Sequence, residues 1–81
     1  MIQSNIALYQ RINSIIDVLV SSHNKDYAQK LSDALSISTV PSEILGETRL
    51  VLEALNKTEL PKLLNIKNDI EESLQYLNKI L

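Results

Sequence analysis

Apolar residues recur every third or fourth position along nearly the whole chain, and this spacing limits its fold more than any other feature. It is clearest from Thr39 to Asn56, TVPSEILGETRLVLEALN. At roughly 100° per residue, Ile44, Thr48, Val51, Leu52 and Leu55 share one arc, with Leu45 at its margin. Such a stripe belongs to an amphipathic helix facing a core. Thr39 is placed to cap it with its hydroxyl, and Pro41 falls in the first turn, where a missing N–H costs nothing. Asn56 is suited to the left-handed conformation that closes a helix.

The remaining segments read as helices that cover this one. The first spans about 4–21, with Leu8, Tyr9, Ile12, Ile15, Ile16, Leu19 and Val20 on one face and Gln10, Arg11, Ser14 and Asp17 on the other. Asn24 caps a short second helix, about 25–35, with Tyr27, Ala28, Leu31, Ala34 and Leu35 inward. The central helix covers about 40–55. Thr58 then caps a long final helix, about 59–80, along which Leu60, Leu63, Ile66, Ile70, Leu74, Leu77 and Leu81 form a near-heptad stripe. One glycine and two prolines leave little material for tight β-turns. The expected fold is therefore an all-α, compact four-helix bundle, a single domain over residues 1–81.

Composition excludes several kinds of function. No cysteine is present, so there is no disulfide, thiolate metal site or thiol nucleophile, and one histidine cannot build a His-rich metal site. A net charge of −2 gives no electrostatic reason to bind nucleic acid directly. The N-terminal MIQSNIALYQRI is interleaved with polar residues, unlike a signal peptide. The longest apolar run, IIDVLV, is interrupted by Asp17 and far too short to span a membrane. A cytoplasmic protein is the default expectation.

No catalytic constellation emerges. His23 stands in a loop beside Ser21, Ser22 and Asp26, without the scaffold-held convergence and oxyanion hole that a triad requires. Glu43 with Glu47, and Glu71 with Glu72, are carboxylate pairs lacking a third ligand for a cation, so they read as solvated faces. An enzyme, a bound metal and a cofactor are all unexpected.

Two surface features remain as partner-binding candidates. Leu50 projects away from the core arc among Gly46, Glu43, Glu47 and Glu53, and Gly46 is an odd choice mid-helix, where it costs ~1 kcal/mol relative to alanine. Close packing over Gly46 and Leu50 would explain both, either by the N-terminal arm with Ile2 and Ile6 or by a partner protein. The second feature is the column Asn65, Asp69, Glu72 and Tyr76 on the final helix, where an aromatic sits amid acceptors. A tyrosine in an acidic surround suits a basic partner, or is an ordinary solvated face with a snorkelling side chain.

The run Asp26-Tyr27-Ala28 with Leu31, then Ser38-Thr39, Glu43-Ile44-Leu45-Gly46, Arg49 and Leu52 resembles a pattern in small helical bacterial immunity proteins. These belong to polymorphic-toxin and contact-dependent growth inhibition systems. The resemblance covers roughly a third of the chain. It implies a cytoplasmic inhibitor that binds one cognate toxin domain, often a nuclease, and occludes it stoichiometrically. The charge of −2 weakens the nuclease version, since inhibitors of cationic nucleases are frequently more acidic. The alternative is a structural or adaptor bundle, a homo-oligomer that self-associates through the final-helix stripe.

Overall fold

The computed structural model describes residues 1–81 and is all-helical, with five helices where the sequence pattern predicts four. They are α1 (Asn5–Ser21), α2 (Lys25–Leu35), α3 (Pro41–Asn56), α4 (Leu60–Leu63) and α5 (Lys67–Ile80). The four longer ones close a ring: α1 packs on α2, α2 on α3, α3 on α5 and α5 on α1. The one-turn α4 bridges α3 and α5. Inside the ring lie Leu8, Ile12, Ile15 and Leu19 of α1, Leu31 of α2, Leu52 and Leu55 of α3, and Ile70 and Leu77 of α5.

The extra helix arises because the predicted final helix is interrupted. Asn65 has φ 58°, which ends α4 in the left-handed conformation. The Ile66 amide donates to Pro61 O at 2.9 Å and the Asn65 amide to Lys62 O at 3.2 Å. That pair of bonds is a Schellman motif, which satisfies carbonyls left open at the helix end. Ile66 and Pro61, the positions between which this motif carries its apolar contact, are both buried. The Thr58 hydroxyl, expected to cap one long helix, accepts from the Leu60 amide at 3.2 Å at the start of the short α4 instead. Interruption also breaks the stripe. Leu63 and Leu81 are exposed, and the buried register through α5 is Ile66, Ile70, Ser73 and Leu77.

α1 ends by the same device. His23 has φ 66°, its amide donates to Val20 O at 3.2 Å, and the Asn24 amide donates to Leu19 O at 2.8 Å. Asn24 therefore ends α1 as well as beginning α2. Its side chain turns back to Ser22, donating to the backbone oxygen at 3.2 Å and to Oγ at 2.9 Å, and does not cap α2.

The ends of α3 also depart from expectation. Its N-cap is Val40, whose amide donates to Ser38 Oγ at 3.0 Å, so Thr39 plays no capping part. Asn56 stays helical, and Lys57 closes the helix with right-handed φ −84°. The core arc is rotated slightly from the predicted one, so that Leu45 at its margin is buried while Ile44 and Val51 on the other margin are half-buried. Thr48 and Ser73 are fully buried polar residues in α3 and α5. Their hydroxyls donate to the carbonyls one turn back, Ile44 O and Asp69 O, both at 2.8 Å. Such self-satisfied hydroxyls remove the desolvation penalty of burying them.

No helix of the chain is long and apolar enough to cross a membrane.

Candidate functional site

The two surface features singled out in the sequence have opposite fates. The α5 column is occupied by the chain itself. Arg11, expected on the solvent side of α1, is half-buried and reaches across the α1–α5 seam. Its Nη1 lies 3.1 Å from Asp69 Oδ1 and 3.3 Å from Glu72 Oε1. The Met1 ammonium lies 3.4 Å from Glu72 Oε2, and Asn68 Nδ2 donates to Glu72 Oε1 at 3.2 Å. The Tyr76 hydroxyl bonds to Asn5 Oδ1 at the start of α1.

Ile2 is buried and belongs to the core cluster, so the arm preceding α1 is anchored beside these polar contacts. A shallow hollow of about 240 Å³ remains there, lined by Met1, Ile2, Glu72, Gln75, Tyr76 and Lys79. Asn65 takes no part, because it forms the left-handed residue between α4 and α5. The hydrogen bond from the Arg11 guanidinium, joined by that from the chain's amino group, holds the Glu72 carboxyl below its usual value.

The α3 feature is open. A Cβ at Gly46 would find no neighbouring side chain or other element within 4 Å, so nothing packs over the glycine. The N-terminal arm, one of the two coverings expected there, lies instead along α5: Ile2 is buried and Ile6 is 72% exposed. Leu50 is 58% exposed. Glu43, Gly46, Glu47 and Leu50 follow one another at helical spacing along the outer stripe of α3. Beside its N-terminal half runs a groove of about 330 Å³ lined by Ile37, Ser42, Glu43, Gly46 and Glu47. Ile37, expected to tuck against the core, is 57% exposed there. Neither Glu43 nor Glu47 forms an ion pair, whereas Glu53, further along, lies 3.9 Å from Arg49.

Arg11 and Asn5 as partners of the α5 column, and Ile37 and Val40 as apolar surface, are not among the residues the sequence pattern singles out. Arg11 immediately precedes the core residue Ile12 and follows Leu8 by three, which places it at the margin of the buried stripe, within reach of a neighbour. That signal was available.

The remaining chemistry-bearing residues do not converge. His23 is exposed on its left-handed turn, beside an open groove of about 460 Å³ that includes Asp26, Tyr27 and Leu60. No group of three or more His, Asp or Glu side chains is placed to hold a metal ion. Comparison with family models, curated proteins and solved structures finds no match for the chain.

Proposed function

We propose that the chain is a protein-binding inhibitor, an immunity protein of the cytoplasm that neutralises a cognate bacterial toxin domain by stoichiometric binding and occlusion. The observation that supports this most is the outer face of α3. It is an exposed leucine beside an open groove, flanked by two carboxylates with no partner inside the molecule. A buried-on-binding aliphatic anchor with a charged rim has the anatomy of a protein interface. Glu43, Glu47 and Leu50 are the residues proposed to meet the partner. Asp69, Glu72 and Tyr76 serve it indirectly, by fixing the arm and α1 against α5.

The test is co-expression with the toxin-like C-terminal domain recovered when the tagged chain is pulled down from its native cell. The expected result is protection of the cells and a 1:1 complex on co-purification, both lost in Leu50→Asp while helicity and melting behaviour stay unchanged. Unprotected cells with no complex would reject the reading. The self-association alternative through a continuous final-helix stripe loses its motive, because Ile66, Ile70 and Leu77 of that stripe are already buried internally.

A further inference from the structure

The α3 groove has a complement elsewhere on the same molecule. Leu63 on α4 is 75% exposed, the most exposed large apolar side chain within any helix of the chain. It stands next to Lys62 and shortly after Lys57, both exposed and in no ion pair. An apolar knob with lysines thus lies beyond the C-terminal end of α3, and an open groove with one apolar wall, Ile37, and two glutamates lies along its first half. The 16 residues of α3 separate them by up to ~24 Å, so one molecule cannot close the contact on itself.

We propose that a second copy of this chain is the occupant of the α3 groove. Leu63 of one copy enters beside Ile37 and over Gly46 of the next, and Lys57 and Lys62 face Glu43 and Glu47. Complementarity of the helix dipole accounts for Glu43 and Lys57 alone. It gives no reason for an exposed leucine at one end and an open groove over a bare glycine at the other.

The absent Cβ at Gly46 provides the room that Leu63 needs. Because knob and groove are different surfaces, the contact is head-to-tail and leaves a free knob and a free groove at the two ends of every dimer. One knob buries less than the ~1,200 Å² of a standard interface, so association is weak and electrostatically assisted. The inference does not rest on the inhibitor reading. It concerns the purified chain alone; where both hold, a partner bound at Glu43 and Glu47 displaces the second copy.

Sedimentation equilibrium of the isolated chain tests it. The weight-average mass should rise by at least about 1.5-fold between about 20 µM and about 2 mM, as a weak interface requires. It should fall back toward the monomer as salt is raised to about 0.5 M. The charge-reversed groove variant Glu43→Lys/Glu47→Lys and the knob variant Lys62→Glu/Leu63→Ser change exposed or half-exposed positions and should each stay monomeric. Mixed in equal amounts they should form a dimer that grows no further, since one contributes the intact knob and the other the intact groove. Circular dichroism of both variants controls for folding. A wild-type mass fixed at the monomer up to the highest concentration would overturn the proposal. A mixture that stays monomeric would do the same, as would either variant dimerising alone.

Discussion

The face of α5 and the face of α3 look alike in sequence: each sets carboxylates around one large side chain on an otherwise polar helix surface. In the folded chain they differ in what completes them. Asp69, Glu72 and Tyr76 are each met by a group from α1 or the arm preceding it, whereas Glu43, Glu47 and Leu50 are met by none. The difference follows from position in the ring. α5 packs on α1, so its outward margin runs along a seam where a long side chain such as Arg11 reaches over. α3 packs on α2, α4 and α5, and Glu43 and Leu50 lie on the side opposite its buried residues. A polar cluster at a helix seam tends to be structural; the same cluster on an outer face is free for something else.

The sharpest way to break this comparison is within α3 itself, where Leu50 and Leu52 are two residues apart. Leu52 is fully buried, so Leu52→Ala should lower stability by ~2–5 kcal/mol through lost burial and a residual cavity. Ile70→Ala on α5 should behave alike. Leu50→Ala should change stability by no more than about 0.5 kcal/mol, as for a surface site without structural partners. Urea denaturation of the three variants checks this, and equal losses at Leu50 and Leu52 would mean that the outer face of α3 is covered in solution.

Gly46 reports on the same face with the opposite sign. With open space where a side chain would go, Gly46→Ala should stabilise the chain by ~0.5–1 kcal/mol, since alanine restores helix propensity without a clash. Thermal melts would show it. Destabilisation instead would place a close neighbour over the glycine, as the sequence had suggested for the N-terminal arm.

The only glycine is therefore mid-helix, and both left-handed helix ends are made without one. At His23 the conformation is strained for a side chain that bears a Cβ. His23→Gly should gain about 0.5 kcal/mol by relieving that strain, less the extra freedom it gives the unfolded chain. Asn65→Gly should gain less, because asparagine tolerates the left-handed region better. A loss of stability in either variant would show that the side chain contributes contacts beyond its turn.

These two turns also explain how far the fold was legible. Helical class, the boundaries of α1 to α3 within a residue or two, and most core positions follow from periodicity, because burial of one face dictates spacing. The break between α4 and α5 left a weak trace. Leu60 to Leu81 keeps its apolar spacing straight through Asn65, and only the asparagine itself hints at a left-handed stop. Capping at Thr39 failed because Ser38, one residue earlier, holds the turn. The site was half legible. Exposure of Leu50 is a property of one helix and can be read from its wheel. Closure of the α5 column depends on which helix lies beside it, a long-range fact that spacing along one segment does not carry.

The smallest effect expected concerns that closure. Glu72 is held below its usual carboxyl value by Arg11 first and the chain's amino group second. A carboxyl whose folded pKa lies below its unfolded one stabilises the fold fully above the unfolded value and loses that contribution as pH falls through the folded value. The contribution should therefore be intact at neutral pH and decline from about pH 4.5 downward. The group is solvent-facing and screened by salt, so the change is modest and should shrink further at high ionic strength. Glu72→Gln removes the titrating group, and Arg11→Met removes its main cause. Both variants should flatten the fall in urea midpoint with acidity relative to wild type, whereas Glu43→Gln, on the open face, should leave the profile as it is. Superimposable acid profiles for Glu72→Gln and wild type would show that the seam holds no such pair in solution, and the contrast between a closed α5 and an open α3 would then rest on packing alone.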